Sequence, residues 1–273
     1  MVWYVIVGLL LVGLAIAVVK LFYDVFIIIF KEIKSFTKGQ RPLKPVHREI
    51  LLNYSAYYRL LSATDKKRFE KRLQRFMHSK EFIPRIIKVV TDEMRVLVSA
   101  SAIQLTFGLP QVYLANFKRI LIYPDSYYSN ITRQYHVGEV NPRAGIIVLS
   151  WKSFVDGYTN SKDSLNVGIH EMAHAIHFEN RIKNKEYDFL DYQGLQKLAE
   201  ITQREVPLIR QGNGHFFRDY AATNVYEFFA VSLEYFFEQP VEFSKAIPDL
   251  YDTLKKLLNQ DPIRLYGGKV SET

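Results

Sequence analysis

Two histidines and a glutamate form the most distinctive chemical pattern in this sequence. His170, Glu171 and His174 spell H-E-x-x-H within residues 165–180, LNVGIHEMAHAIHFEN. Residues four apart lie on the same face of an α-helix, so both imidazoles can bind one metal ion. The Glu171 carboxylate then lies where it can reach a water on the metal without being a ligand. This arrangement is typical of zinc-dependent hydrolases.

The surroundings of the motif favour a metal site over a helix with incidental polar residues. The flanking residues are apolar, namely Val167, Ile169, Met172, Ala173 and Ile176. A helix with such flanks is expected to be largely buried, and unpaired His and Glu side chains are costly there unless something binds them. The pattern therefore predicts a buried helix that holds a metal ion.

Composition limits the kind of metal site and the kind of protein. The chain has 273 residues and no cysteine, which excludes disulfides and Cys-ligated zinc or iron–sulfur sites. Its length suits one sizeable domain plus an appendage. The formal net charge is +8, but the basic residues are dispersed and several follow an apolar segment. We therefore attribute the excess positive charge to contact with a membrane, and no nucleic-acid partner is expected.

The N-terminal segment has the length and composition of a membrane anchor. Residues 2–19 carry no charge, and residues 25–30 are apolar again after two charged positions. We therefore predict one transmembrane helix within residues 1–30. A cleaved signal peptide is the competing interpretation, because Ala15-Ile16-Ala17 resembles a cleavage site. Against it, no Lys or Arg precedes the apolar run, and the apolar character resumes beyond that site.

Flanking charge predicts the orientation of this anchor. No basic residue precedes the uncharged run, whereas seven follow it: Lys20, Lys31, Lys34, Lys38, Arg41, Lys44 and Arg48. The positive-inside rule then predicts a single-pass protein of the inner (cytoplasmic) membrane, with its catalytic domain in the cytoplasm. We expect residues 31–45 to form a basic juxtamembrane linker and residues 46–273 to form the folded domain.

The remaining pattern predicts a mainly helical α+β domain with a small β-sheet. Helices are expected over residues 47–61, 62–77 and 92–107, the second with capping residues at its start. Strands are expected at Arg119–Tyr123 and at residues 146–151, the latter followed by a turn-prone stretch. The second strand precedes the motif helix. As an edge strand beside the cleft, it could pair with an extended peptide substrate.

Catalytic zinc normally has three protein ligands, so a third must come from elsewhere in the chain. Glu227 is favoured because it opens the apolar stretch 227–237, where an ionised carboxylate needs a partner and the first helical turn stabilises negative charge. His177 lies a further turn along the motif helix, too far to join the same ion, and His215 follows the flexible run QGNG. The full set of candidates is His177, Glu200, Glu205, His215, Glu227 and Glu234.

Two further residues are candidate site residues because of their spacing from Glu227. Glu234 follows it by seven residues, on the same helix face. It either orients a ligating imidazole through the second ring nitrogen or is an ordinary exposed glutamate. Tyr220 precedes Glu227 by seven residues and could donate a hydrogen bond to the oxyanion of an attacked carbonyl. Because the chain has 18 tyrosines, that position alone says little.

Three segments carry a resemblance to the MtfA (Mlc titration factor A) family of zinc-dependent peptidases, which is related to the catalytic domain of anthrax lethal factor. They are GIIVLSW at 145–151, NVGIHEMAH at 166–174 and DYAATNVYEFFAVSLEYFFEQP at 219–240. Weaker similarity covers most of residues 46–240. Together these segments are far more specific than H-E-x-x-H alone.

The resemblance implies a fold and a set of site residues. It implies a zincin-like metallopeptidase domain in which Zn²⁺ is held by His170, His174 and Glu227, with Glu171 as general base and acid and Tyr220 assisting. The expected partners are a peptide or protein substrate and the membrane. Family members are associated with a repressor of glucose uptake, which adds a regulatory protein such as a transcriptional repressor as a candidate.

Two departures from the family pattern limit what the resemblance implies about the substrate. Val225-Tyr226 stands where the family usually has Pro-Ala, and Ile176-His177 stands where Leu-Asp often follows the second histidine. Neither pair includes a ligand, but substrate preference cannot be carried over.

The alternative hypothesis is a membrane-tethered regulatory, protein-binding module with a structural or vestigial zinc site. A structural zinc needs four protein ligands, so His177 or His215 would have to complete the shell.

Overall fold

Helices dominate the fold and a small mixed sheet accompanies them. The computed structural model describes residues 2–39, 42–110, 112–129, 133–159, 164–182, 189–212 and 215–267. Over these ranges the chain forms twelve α-helices, one 3-10 helix and six strands. The predicted mainly helical α+β class is therefore confirmed.

The N-terminal helix α1 spans Val2–Gly39 and is longer than predicted. Within it, Ile6–Ile27 is long and apolar enough to cross a membrane, with a mean hydropathy of 2.5, and none of this window is buried. The sequence prediction ended the helix at about residue 30. The helix continues because residues 31–38 contain no proline or glycine that would stop it. Most of the predicted linker is therefore helical.

Serine side chains divide the next segment into three helices, α2 (Pro45–Tyr54), α3 (Ala56–Leu60) and α4 (Ala63–Ser79). The predicted single helix at 47–61 is broken at Ser55, whose backbone is extended and whose hydroxyl accepts the Tyr58 N–H. A serine in this position ends one helix and caps the next. Ser62 caps α4 in the same way, as predicted.

Helix α5 (Asp92–Thr106) is buried along most of its length. It starts where the Thr91 hydroxyl accepts the Met94 N–H. Its small residues, Ser99, Ala100, Ser101 and Ala102, are at most 1% exposed and allow α2, α4 and the motif helix to pack closely. This predicted helix is confirmed.

The main sheet has four strands, β1 (Glu81–Pro84), β2 (Arg119–Tyr123), β5 (Gly138–Asn141) and β6 (Ile146–Ser150). Their order is β1-β2-β6-β5, with the first three parallel and β5 antiparallel to β6. A separate hairpin joins β3 (Tyr127–Ser129) to β4 (Gln134–His136). Both predicted strands are confirmed, and the other four are three or four residues long.

The structure corrects the prediction of an edge strand at residues 146–151. β6 lies inside the sheet between β2 and β5, and β5 occupies the edge. The reversal between β5 and β6 is made by a turn in which Gly145 has a φ of 63°, a conformation that favours glycine. Because β5 precedes this turn and pairs with the side of β6 that β2 does not occupy, β5 takes the edge position that sequence order suggested for β6.

The rest of the described chain is helical. The motif helix α7 (Val167–Ile182) and helix α9 (Val225–Glu238) lie against each other, and both are buried. Helix α6 (Trp151–Thr159) includes the first four residues of the predicted turn-prone stretch 156–163, so that prediction is wrong for them, and residues 160–163 lie outside the described part of the chain. The remaining elements are α6 (Trp151–Thr159), α7 (Val167–Ile182), α8 (Tyr192–Arg210), the 3-10 helix (Asp219–Ala222), α9 (Val225–Glu238), α10 (Pro240–Ala246), α11 (Pro248–Leu258) and α12 (Pro262–Gly267).

Candidate active site

The two motif histidines lie one turn apart on α7 and face the same point. Their ring centroids are 4.8 Å apart and their Nε2 atoms are 3.1 Å apart. The start of α7 is set by Asn166, whose side-chain oxygen accepts the Ile169 N–H at 2.9 Å. The flanking residues Met172, Ala173 and Ile176 are fully buried, as the sequence predicted.

Glu227 reaches the two histidines from the first turn of α9. Asn224 caps this helix and accepts the backbone N–H groups of Tyr226 and Glu227. The Glu227 carboxylate lies 3.0 Å from His170 Nε2 and 3.5 Å from His174 Nε2. The structure therefore brings together all three residues that the family resemblance implied as ligands.

The donor set and its geometry fit a divalent metal ion. One atom from each of His170, His174 and Glu227 lies within 4.8 Å of the others, and among the described residues this is the group that could hold a metal. In a tetrahedral zinc site, two imidazole nitrogens are about 3.3 Å apart, close to the observed spacing. Three protein ligands leave a position open, as in catalytic rather than structural zinc sites.

The charges of the three side chains suit a cation at this point. Burial lowers the pKa of His170, but contacts with the Glu227 and Glu234 carboxylates outweigh burial and raise it to about 10. Burial also opposes ionisation of Glu227, yet His170 and His174 hold its pKa well below its ordinary range. Glu227 therefore keeps its negative charge beside two imidazoles, an arrangement that suits a cation at this point.

Glu234 orients His170 and is not an exposed glutamate. Its Oε1 atom lies 2.8 Å from His170 Nδ1, and its side chain is 1% exposed. The same oxygen accepts a hydrogen bond of 2.7 Å from Arg218 Nη2, while Oε2 accepts the Asn166 N–H at 2.7 Å. Such a carboxylate fixes the ring so that the other nitrogen faces the metal. The structure thus decides between the two interpretations that spacing alone left open.

Arg218 is a residue of the candidate site that sequence reasoning missed. Besides Glu234, its guanidinium donates to the Ser164 carbonyl, just before α7, and it lies 5.9 Å from the Tyr220 ring. It therefore joins the segment that carries the motif to the segment that carries Tyr220. No local signal marks it, because its partners are distant in the chain. Asn166 could have been found as a capping residue three positions before Ile169.

Glu171 is buried beside the ligand group but does not belong to it. Burial raises its pKa, while the neighbouring histidines oppose the shift. Its carboxylate packs against Gly138 on the edge strand β5, where a Cβ atom would overlap it. Glycine is therefore required at this position for the carboxylate to remain where it is.

Tyr220 lies at the site on the 3-10 helix, with its ring centroid 5.9 Å from that of His170. The side chain is half exposed, so it faces both the ligand group and solvent. Burial and the negative charge of Glu227 raise its pKa. The phenol therefore keeps its proton at neutral pH and can act as a hydrogen-bond donor.

A second tyrosine borders the site from the β3–β4 hairpin. The buried Tyr127 hydroxyl donates to Glu139 on β5 at 3.4 Å. Burial, followed by the charges of Glu139 and Glu171, raises its pKa. Sequence reasoning missed both residues because their strands are short, and this wall of the cleft depends on tertiary contacts.

Neither histidine needed by the structural-zinc hypothesis joins the ligand group. His177 packs among the rings of Phe178, Tyr226 and Phe229, and burial lowers its pKa to about 4, so it is neutral at pH 7. His215 Nε2 lies 2.8 Å from Glu205 on α8. Of the other candidates, Glu200 is exposed and pairs with Lys197.

Comparison with known proteins agrees with this geometry. Residues 31–258 match the family described as Glucose-regulated metallo-peptidase M90. A Synechocystis sp. protein, slr2042, is 29% identical over 82% of this chain and 87% of its own length. Mlc titration factor A from Salmonella arizonae is 29% identical over 74% of this chain and 86% of its own.

A further relative falls in the same range. Mlc titration factor A from Enterobacter sp. is 27% identical over 75% of this chain and 82% of its own length. The family match includes α7, the 3-10 helix and α9, which carry His170, Glu171, His174, Tyr220 and Glu227. The match spans most of the chain, and the chain therefore belongs to the glucose-regulated metallo-peptidase M90 family.

Proposed function

We propose that the protein is a membrane-anchored zinc peptidase that hydrolyses peptide bonds, with His170, His174 and Glu227 as metal ligands and Glu171 as general base and acid. The observation that carries this proposal is the convergence of three ligand atoms on one point, with a buried carboxylate beside them but outside the group. Membership of a metallo-peptidase family supports it.

The side chains at this site have complementary tasks. When bound by the three ligands, zinc lowers the pKa of a water molecule towards ~7 and polarises a carbonyl oxygen. Glu171 accepts the proton of the attacking water and then delivers it to the leaving amine. Burial raises the pKa of Glu171, which suits a group that must hold a proton between the two transfers. Tyr220 donates a hydrogen bond to the oxygen on which negative charge develops.

The edge strand β5 is the candidate site for an extended substrate. Among the described strands it pairs with β6 alone, so no described strand lies along its other edge. Gly138 on β5 contacts the Glu171 carboxylate, which places that edge next to the reacting groups. A peptide that adds to β5 as a further strand would therefore carry its scissile bond past Glu171.

The N-terminal helix supplies the location. Ile6–Ile27 has the length and apolar composition of a span, and basic residues follow rather than precede it. We therefore place the catalytic domain on the cytoplasmic side of the inner membrane. Because several relatives are named Mlc titration factor A, a regulatory protein is a second candidate partner beside the peptide substrate.

Glu171→Gln in the full-length protein tests the proposal. We expect bound metal to stay at the wild-type stoichiometry while cleavage of a peptide library falls by about 10²–10⁴-fold. Glu227→Ala should lose the metal itself, and a chelator should abolish wild-type cleavage. Glu200→Gln, an exposed glutamate outside the site, is the matched control. A Glu171→Gln protein with wild-type turnover would refute the assignment.

A further inference from the structure

The loop that follows β1 exposes apolar side chains between basic ones. Residues 85–90, hereafter the 85–90 loop, read RIIKVV. Ile86 is 86% exposed, the largest fraction for any large apolar side chain in the described part of the protein, and Val89 is 63% exposed. Arg85 and Lys88 alternate with them and are exposed as well. Most of the other apolar side chains this exposed belong to α1.

The backbone holds Ile86 outward at a conformational cost. Its φ is 69°, in the left-handed region that β-branched residues rarely adopt and that glycine adopts freely. The loop is fixed on both sides of it, because the Arg85 N–H donates to the Ile122 carbonyl at 2.9 Å and Val90 is buried in the core. An apolar side chain kept in solvent by a strained backbone indicates a role outside the fold itself.

The charges around the loop favour an anionic partner. Arg85 and Lys88 are basic, and the next acidic residues, Asp92 and Glu93, lie in the first turn of α5. Asp92 is also paired with His47 at 3.2 Å. Apolar tips flanked by Lys and Arg are typical of segments that enter the interface of a bilayer containing anionic lipids.

The position of the loop connects it to the N-terminal helix. Helix α1 lies against α4, and α4 leads through Lys80 directly into β1 and then into the loop. β1 is also the edge of the sheet opposite β5, which borders the site. A surface that meets the membrane at the β1 edge leaves the β5 edge directed away from it.

We propose that the 85–90 loop is a second membrane contact, in which Ile86 and Val89 enter the bilayer interface while Arg85 and Lys88 bind lipid phosphates. This inference rests on the membrane insertion of α1 proposed above. Two attachments define an orientation that one helix cannot. The domain therefore lies against the membrane with its cleft open to the cytoplasm.

Single-cysteine labelling tests this contact cleanly, because the chain contains no native cysteine. The full-length protein is reconstituted into phosphatidylcholine vesicles with or without phosphatidylglycerol and labelled with an environment-sensitive fluorophore. Three positions are compared: Val89→Cys in the loop, Val12→Cys in α1, and Tyr192→Cys at the start of α8. Tyr192 is 68% exposed and serves as the matched solvent control. Spin-labelled phospholipid is the quencher.

We expect quenching at Val89 to exceed that at Tyr192 by at least about twofold and to increase with phosphatidylglycerol. Ile86→Gly, which fits the left-handed backbone, should fold normally and reduce quenching at Val89 while leaving cleavage of a soluble peptide unchanged. Arg85→Ser with Lys88→Ser should remove the dependence on anionic lipid.

The outcomes separate this inference from the membrane anchor. If Val12 is quenched but quenching at Val89 equals that at Tyr192, the loop contact is overturned and the membrane anchor remains. A blue shift at Val89 without lipid quenching would mean that the loop packs against a second copy of this chain rather than lipid, and would also overturn the inference. An unquenched Val12 would overturn both.

Discussion

At the scale of single residues, the site depends on one carboxylate that receives three partners. Glu234 binds His170 Nδ1, the Arg218 guanidinium and the Asn166 N–H, each within 2.8 Å. The histidine is thereby held with Nε2 toward His174 and Glu227. Removing Arg218 would leave a buried carboxylate short of a positive partner, free to turn away from the ring.

Arg218→Gln should therefore weaken metal binding by about 10- to 100-fold, measured by competition with a calibrated chelator. Arg218→Lys should recover part of the loss, because an ammonium can pair with Glu234 but cannot also reach Ser164 in a fork. The control is Arg204→Gln, which removes a surface arginine paired with Asp249. Equal metal affinity in Arg218→Gln and the wild type would contradict this positioning role.

At the scale of elements, the contact between β5 and α7 decides where Glu171 lies. Gly138 leaves no space between the strand backbone and the carboxylate, so any side chain there must displace one of them. Gly138→Ala should keep the metal but lower kcat by about 100-fold, since a displacement of about 1 Å at a reacting group has an effect of that size.

Steady-state kinetics together with metal analysis check the Gly138 prediction. Gly267→Ala, at a position where a Cβ atom would meet nothing, is the matched control. Normal kcat in Gly138→Ala would mean that Glu171 does not need this contact. Loss of metal instead would mean that the strand supports the ligands rather than the general base.

Elements with local signals were predictable, and those that depend on distant partners were not. Capping at Ser62 marks the start of α4, and a run of small residues marks α5, so both helices could be located from the sequence. β1 and β5 have four residues each and exist as strands because β2 and β6 lie beside them. The edge position of β5 therefore could not be read from sequence order.

The same division applies to the site. His170 and His174 are fixed by helical spacing, and Glu227 by its place at the start of an apolar helix and by the family resemblance. Arg218 and Gly138 escaped notice because their partners lie 16 to 54 residues away along the chain. The contacts that position Glu171 and Glu234 are tertiary, whereas the two motif histidines belong to a local pattern.

At the scale of the whole molecule, a buried carboxylate joins the first three helices of the domain. Glu70 on α4 accepts hydrogen bonds from Arg48 on α2 at 2.8 Å and from the Tyr58 hydroxyl on α3 at 2.5 Å. The hydrogen bond from Arg48 lowers the pKa of Glu70, and that from Tyr58 adds to the effect, while burial opposes both. The folded state therefore favours the ionised form.

This linkage predicts the pH dependence of stability. A carboxyl with a lowered folded-state pKa stabilises the fold fully above its unfolded pKa of about 4.3, and the contribution disappears as pH falls through the folded-state value. Glu70→Gln should lower the free energy of unfolding by about 1–2 kcal/mol at pH 7, since Arg48 is partly exposed. The gap to the wild type should narrow below about pH 4.

Denaturant unfolding of both proteins measures this difference in the free energy of unfolding at each pH. A chelator is present so that metal release does not contribute. Glu200→Gln, an exposed glutamate, should show no comparable change. A constant difference between wild type and Glu70→Gln from pH 7 to pH 3 would show that the Glu70 charge does not contribute to stability.

The three-way junction at Glu234 connects the candidate metal site to the chain segments on both sides of the cleft. Its partners are Asn166 just before α7, His170 on α7 and Arg218 in the segment that leads to Tyr220. A change at any one of these contacts therefore affects the other two, because all three share a single buried carboxylate. The orientation of His170 and the placement of both walls of the cleft consequently depend on the same side chain.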